Sequence, residues 1–170
     1  NHRVYSNYGV IIKNHGKLKE AELFQRKAIE IEPDFAVAHN NLGNILSDLG
    51  KQKEAEISYR KAIEFKPDLA NAHYNLGSIL DIFGKREEAI SNWVKAAELD
   101  PQDDKLVLGL ARNLCHEGKY ELALKYLYKN KSNSCQSVYL GCLLSLNKEK
   151  EFNEKYQELS SKNVCNADIG

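Results

Sequence analysis

Three asparagines could carry the chemistry of this chain, because Asn7, Asn41 and Asn75 recur at intervals of 34 residues. A side-chain amide both donates and accepts hydrogen bonds, which suits recognition of a peptide main chain. Asparagine is a middling helix former, so helix propensity does not account for its recurrence. We therefore interpret the three residues as a candidate peptide-binding ladder. The alternative is that they tie neighbouring helices or loops together.

The elements that must position these asparagines repeat at the same interval. Glycine, proline and alanine recur in phase at Gly16, Gly50 and Gly84, at Pro33, Pro67 and Pro101, and at Ala28, Ala62 and Ala96. An interval this long marks a supersecondary unit that stacks on copies of itself. The spacing predicts three repeats, at residues 1–34, 35–69 and 70–103.

Each repeat has the pattern of two helices. In the second repeat, apolar residues follow helical spacing from Ala36 to Leu49, and Gly50 then ends the first helix. A second apolar helical face begins near Ala55, and Pro67 stops it. The pattern predicts two antiparallel helices joined by a short turn, so the predicted fold class is all-α.

The strings HNNLGN at residues 39–44, YRKAIE at 59–64, KPD at 66–68 and HYNLGS at 73–78 resemble the tetratricopeptide repeat family. The resemblance covers residues 3–103, and its repeats are similar to those of bacterial proteins and of the O-GlcNAc transferase arm. It implies a right-handed α-solenoid of antiparallel helix pairs. It also implies that the first helices line a concave groove that binds a protein or peptide ligand.

The last third of the chain departs from this pattern. Asn130 stands where alanine is expected, and Cys135 stands where proline is expected. Because terminal repeats are often atypical, we interpret residues 104–134 as a divergent fourth repeat and 135–162 as a capping helix pair. Residues 163–170 are predicted to be a tail or linker.

Further residues fall in the groove-facing register of the first helices, and most are polar. They are Arg3, Asn40, Asn44, Asp48, Asn71, Tyr74 and Ser78. This mixture suits hydrogen bonding to a peptide backbone. Some relatives use a clamp for two carboxylates, but here the third helix offers Asn71 and Asn75 where that clamp needs cations. A recurring histidine, His39 and His73, shares its position with Tyr5 and is expected to pack rather than bind metal.

Composition limits the partners. The formal net charge is zero, which argues against nucleic acid and anionic membranes. The sequence has no apolar run long enough to span a bilayer and no signal-peptide pattern. We expect a cytoplasmic protein. It lacks methionine, which suggests a piece of a longer polypeptide. The four cysteines have no zinc-site spacing and are expected to be structural thiols in a reducing compartment. No cofactor or metal is expected.

Three functions remain. The sequence favours an interaction module that binds a peptide or protein segment and has no catalysis of its own. The first alternative is the substrate-recognition arm of a larger enzyme, of the glycosyltransferase or iron/2-oxoglutarate oxygenase type. The second is self-association, in which an end repeat pairs with another copy of the chain.

Overall fold

The computed structural model describes the backbone of residues 1–167 and the side chains of residues 1–161. These residues form ten helices and no strand, which confirms the all-α prediction. The helices are α1 His2–Asn14, α2 Leu18–Ile31, α3 Ala36–Asp48, α4 Gln52–Phe65, α5 Ala70–Ile82, α6 Arg86–Leu99, α7 Asp104–His116, α8 Tyr120–Leu127, α9 Asn133–Ser145 and α10 Glu149–Ala167. The chain divides into two compact units, Asn1–Leu99 (unit 1) and Asp100–Gly170 (unit 2).

Unit 1 consists of three helix pairs, each with a tight turn at a glycine. In the second pair, Gly50 adopts a φ of 75°, a left-handed conformation that costs glycine little. The Gly50 N–H donates to the Ser47 carbonyl at 2.9 Å, and the Lys51 N–H donates to the Leu46 carbonyl at 2.8 Å. These bonds satisfy carbonyls at the end of α3 and reverse the chain. The same turn follows α1 and α5.

Small residues let the two helices of a pair approach closely. A Cβ atom added to Gly43 on α3 would lie 2.6 Å from the ring of Tyr59 on α4. In the third pair, a Cβ atom added to Gly77 on α5 would lie 2.7 Å from the ring of Trp93 on α6. The recurring glycine therefore makes room for a large aromatic side chain from the partner helix.

Successive pairs of unit 1 stack through their apolar faces. Ile12 and Ala21 from the first pair pack against Ile45 from the second, and all three are buried. Helix α3 contacts α1 on one side and α5 on the other. We call the surface formed by α1, α3 and α5 the first-helix face.

The second helices are linked by ion pairs that also repeat along unit 1. Arg26 on α2 reaches Glu54 on α4 at 3.7 Å, and Arg60 on α4 reaches Glu88 on α6 at 2.7 Å. Surface pairs of this kind contribute little individually, so the buried faces carry most of the stacking energy.

Unit 2 contains helices α7 to α10. Helix α9 begins at Asn133, two residues before the expected boundary at 135, because Ser132 caps it by accepting the Cys135 N–H at 3.3 Å. Asn130 is buried, and its Nδ2 donates to Asp104 Oδ1 at 3.0 Å. The divergent asparagine thus holds the loop after α8 against the start of α7.

The end of the chain differs from the predicted boundary. Helix α10 continues to Ala167, five residues past the expected end at 162, since residues 149–167 contain no proline or glycine to stop it. Of the predicted tail, residues 168–170 lie outside the described residues.

Candidate peptide-binding surface

The three asparagines of the ladder lie on successive helices of the first-helix face. Asn7 is exposed on α1, whereas Asn41 on α3 and Asn75 on α5 are half-buried. Their equivalent positions follow from the 34-residue repeat of the helices. The structure therefore brings the predicted ladder onto one face of unit 1.

The amide nitrogens of the two inner rungs bond to the preceding helix. Asn75 Nδ2 donates to Asn40 Oδ1 at 3.1 Å and to Asn44 Oδ1 at 2.9 Å. Asn41 Nδ2 donates to Ser6 Oγ at 3.3 Å. The amide nitrogens of these two residues thus tie neighbouring helices together, which is the alternative role that the sequence left open.

The amide oxygens of the same residues have no hydrogen-bond donor among the described residues. Among the described residues, no donor reaches Oδ1 of Asn41 or Asn75, and neither atom is shut off from solvent. Asn7 makes no side-chain hydrogen bond to any described residue. The ladder therefore presents acceptors at its two inner rungs and a whole amide at its outer rung.

Asn40 and Asn44 link helices through their side-chain oxygens. Asn40 is only 8% exposed. Asn44 Oδ1 accepts a second hydrogen bond, from the Tyr59 hydroxyl at 2.9 Å. Burial raises the pKa of Tyr59, which keeps this hydroxyl protonated as a donor. The two residues form the base on which Asn75 is fixed.

The other predicted residues occupy varied positions. Arg3 and Asn71 are exposed, and Tyr74 and Ser78 are half-buried. The Ser78 hydroxyl donates to the Tyr74 carbonyl at 3.1 Å, so it is engaged within α5. Asp48 is exposed on α3.

An ion pair neutralises the charge near Asp48. Its Oδ2 lies 2.9 Å from Lys13 Nζ on α1. Because the two charges compensate each other, this part of the first-helix face does not favour a strongly charged ligand.

The recurring histidines are structural. His39 Nε2 lies 2.8 Å from the Pro33 carbonyl, and His73 Nε2 lies 2.9 Å from the Pro67 carbonyl. Each histidine thereby binds the loop that precedes its own helix. Desolvation lowers the pKa of His39, which favours the neutral ring. Among the described residues, no group of three or more histidine, cysteine or acidic side chains is arranged to hold a metal ion.

Sequence reasoning missed Gln25, which pairs with Ser6. The Ser6 hydroxyl donates to Gln25 Oε1 at 2.9 Å, and Gln25 Nε2 donates to the Ser6 carbonyl at 2.8 Å. Ser6 holds the position in α1 that Asn40 holds in α3, and each accepts from the next rung of the ladder. The recurrence of a polar residue one position before the rung was the signal available in the sequence.

Family models match the region that contains this surface. One described as TPR repeat matches residues 43–80, and one described as Tetratricopeptide repeat matches residues 24–57. A further tetratricopeptide repeat model matches residues 2–35 and 70–103. Together they account for more than half of the 170 residues. The chain belongs to the tetratricopeptide repeat family.

Solved structures share the tetratricopeptide repeat fold. A crystal structure of MamA is 20% identical, with a TM-score of 0.65, over 89% of this chain and 81% of that one. A second MamA structure is 17% identical, with a TM-score of 0.71, over 98% of this chain and 94% of that one. These two likenesses support the fold alone. No curated protein matches the sequence significantly.

A mutant O-GlcNAc transferase from Thermobaculum terrenum is 25% identical, with a TM-score of 0.67. The match covers 75% of this chain but only 26% of the transferase chain.

The tetratricopeptide repeats make the present chain a protein-interaction scaffold. None of its described helices combines the length and apolarity that a bilayer crossing requires.

Proposed function

We propose that unit 1 binds an extended polypeptide segment in a groove along the first-helix face, without catalysis of its own. The observation that carries this proposal is that the two ends of each inner amide differ in their hydrogen bonding. The amide nitrogens of Asn41 and Asn75 are fixed by the preceding helix, while their Oδ1 atoms accept no hydrogen bond from a described residue and are not fully enclosed. The rungs are thereby oriented before a ligand arrives, which reduces the entropy lost on binding.

The hydrogen-bonding capacity of the Oδ1 atoms of Asn41 and Asn75 indicates the kind of ligand. A carbonyl oxygen accepts hydrogen bonds, so Asn41 and Asn75 suit the main-chain N–H groups of a peptide. Asn7 adds both a donor and an acceptor. Because main-chain groups recur at every residue, this recognition depends weakly on the sequence of the partner. Any preference for particular ligand side chains then comes from contacts with the flanking residues Arg3 and Asn71, which are exposed.

A test on the ligand side avoids damage to the protein. Peptides that bind are selected from an array of short random sequences, and each is then resynthesised with single N-methyl groups along its backbone. N-methylation removes a donor, so we expect roughly fivefold weaker binding at each contacting position, from a hydrogen bond worth about 1 kcal/mol. Uniform tolerance of N-methylation, or an array with no binder, would refute main-chain recognition.

A matched pair of variants tests the protein side. Asn7→Ala removes the exposed rung and should weaken binding of the selected peptides by a similar factor. Asn153→Ala changes an exposed asparagine on α10 in unit 2 and should leave binding unchanged. Equal effects of the two substitutions would contradict the assignment of the groove to unit 1.

The alternative function is the substrate-recognition arm of a larger enzyme. The likeness to the transferase structure favours it, since that protein carries the shared fold in about a quarter of its chain. The complete gene decides this question. A glycosyltransferase or iron/2-oxoglutarate oxygenase domain in the same reading frame would support the arm, and a parent protein without a catalytic domain would exclude it.

Self-association is supported by an apolar stripe on α1. Val4, Tyr8 and Ile11 are between 49% and 63% exposed. The equivalent residues of α3, which are Ala38, Leu42 and Ile45, are buried, and Ile45 packs against Ile12 and Ala21 of the preceding pair. We propose that a second copy of the chain covers this stripe. Light scattering over a dilution series should detect a dimer that Tyr8→Lys abolishes, and a monomer at every concentration would refute it.

A further inference from the structure

Two cysteines of unit 2 lie side by side. Cys115 is in the last turn of α7 and Cys142 is in the last turn of α9, two helices that pack together. Their Sγ atoms are 3.2 Å apart and share a hydrogen bond. Both thiols are free, Cys142 is 2% exposed and Cys115 is half-buried.

This spacing is close to that needed for a bond. The S–S distance in a disulfide is about 2.05 Å, so the two sulfur atoms need to approach by little more than an ångström. The pair also has an accessible and an inaccessible member. Cys115 meets an oxidant from solvent first, and Cys142 lies directly behind it.

We propose that Cys115 and Cys142 are a modification site, at which a small-molecule disulfide such as oxidised glutathione converts the thiol pair to an intramolecular disulfide. Cys115 loses its proton to solvent, and its thiolate attacks one sulfur of the glutathione disulfide. The S–S bond breaks, and one glutathione thiolate leaves. Cys142 then loses its proton and attacks Cys115 Sγ, which releases the second glutathione. Two protein thiols are oxidised and one disulfide is reduced to two thiols.

The environment of Cys142 supports this order of events. Burial, and the hydrogen bond with Cys115, raise the pKa of Cys142 to about 12. Cys142 is therefore a poor nucleophile toward molecules in solution, because the thiolate is the reactive form. Against a mixed disulfide at Cys115 its attack is intramolecular, and proximity offsets the small thiolate fraction.

Cys135 provides the matched control. It is on the same helix as Cys142 and is fully buried, and burial raises its pKa as well. Among the described side chains it shares no hydrogen bond with another sulfur atom. A general effect of oxidation would thus involve Cys135, whereas the proposed site excludes it.

The test uses the full chain with Cys165→Ser, incubated with oxidised glutathione and analysed by intact mass and peptide mapping. We expect loss of two hydrogen atoms and one disulfide that joins the α7 and α9 peptides, reversed by dithiothreitol. Adding Cys142→Ser should stop the reaction at a mass gain of one glutathionyl group on Cys115. Adding Cys135→Ser should leave the disulfide unchanged.

Two results would overturn the proposal. One is that all three thiols remain titratable in denaturant after incubation of the parent chain, which needs no further variant to fold. The other is a disulfide that includes Cys135. Either result would assign Cys115 and Cys142 to core packing alone.

Discussion

Alanine substitutions at the three rungs of the ladder should differ in their effect on stability. We expect the free energy of unfolding to fall most in Asn75→Ala, less in Asn41→Ala and least in Asn7→Ala. The reason is the number of hydrogen bonds that each amide makes within unit 1. Asn75 donates two, Asn41 donates one at 3.3 Å, and Asn7 donates none to a described residue.

The magnitudes follow from what each substitution leaves behind. Removing Asn75 leaves Asn44 Oδ1 bonded to the Tyr59 hydroxyl, but it leaves Asn40 Oδ1 without a donor in a residue that is 8% exposed. Lost bonds and a stranded buried acceptor together cost about 1–3 kcal/mol. At Asn41 the single bond is worth about 0.5–1 kcal/mol. At exposed Asn7 the change is within about 0.5 kcal/mol.

Helix propensity does not alter the order. Each substitution replaces asparagine by alanine inside a helix, which contributes a similar gain of roughly half a kcal/mol to all three variants. Asn7→Ala can therefore become slightly more stable than the parent, while Asn75→Ala stays less stable. The difference between variants is the quantity to compare.

The chain contains a convenient probe for the assay. Trp93 is the single tryptophan of the sequence, and it is buried in α6 of unit 1. Its fluorescence during urea unfolding reports on unit 1 without a signal from tryptophan elsewhere. Equal stabilities for the three variants, or the largest loss at Asn7, would refute the role of these bonds in fixing α5 to α3.

Two further substitutions test the packing and the electrostatics. Gly43→Ala should be about 1–3 kcal/mol less stable than Gly141→Ala, since the added Cβ lies 2.6 Å from a tyrosine ring at Gly43 and meets nothing within 4 Å at Gly141; urea midpoints followed by circular dichroism measure the difference. Because burial lowers the pKa of His39, the unfolded chain binds a proton more readily than the folded chain. The stability contributed by neutral His39 is complete above about pH 6.5 and is lost as the pH falls below this value. The thermal unfolding temperature of the parent chain should therefore decrease as the pH falls below about 6.5, and it should decrease less in His39→Gln.

The helix pairs of unit 1 could be predicted because their signals are local. The predicted first helix of the second repeat, Ala36 to Leu49, differs by one residue from α3. The turn at Gly50 depends on a conformation that glycine adopts easily, and the sequence shows that residue directly. Helix α4 ends at Phe65, just before Pro67. Boundaries set by glycine and proline need no knowledge of tertiary contacts.

The contacts between repeats could not be predicted in the same way. The period places Asn41 and Asn75 at equivalent positions, but it does not say which residue of the preceding helix each one meets. That partner depends on the rotation and offset of the stacked helices. The structure selects Ser6 and Asn40, each 35 residues earlier in the chain. Asn40 was consequently placed among the ligand contacts by the sequence, although it lies in the interior.

The contact between the two thiols could not be predicted from the sequence for a related reason. Cys115 and Cys142 are 27 residues apart, which matches no multiple of the repeat length. Helix α8 has 8 residues where α2, α4 and α6 have 14, so the chain returns early and begins α9 sooner than the period predicts. Irregular segments lose the periodic signal, and their side-chain contacts appear only in the folded structure.

The ladder shows why a structural role and a binding role need not exclude each other. An amide has a donor end and an acceptor end, and in Asn75 the donor end is fixed on Asn40 and Asn44. Fixing the nitrogen also fixes the direction of the oxygen, so the bond that stabilises the stack orients the acceptor. Alanine at this position removes both roles together and cannot separate them. Removal of single N–H groups from the ligand changes only the outer contact, and a ligand that tolerates it would leave the inner rungs with a structural role alone.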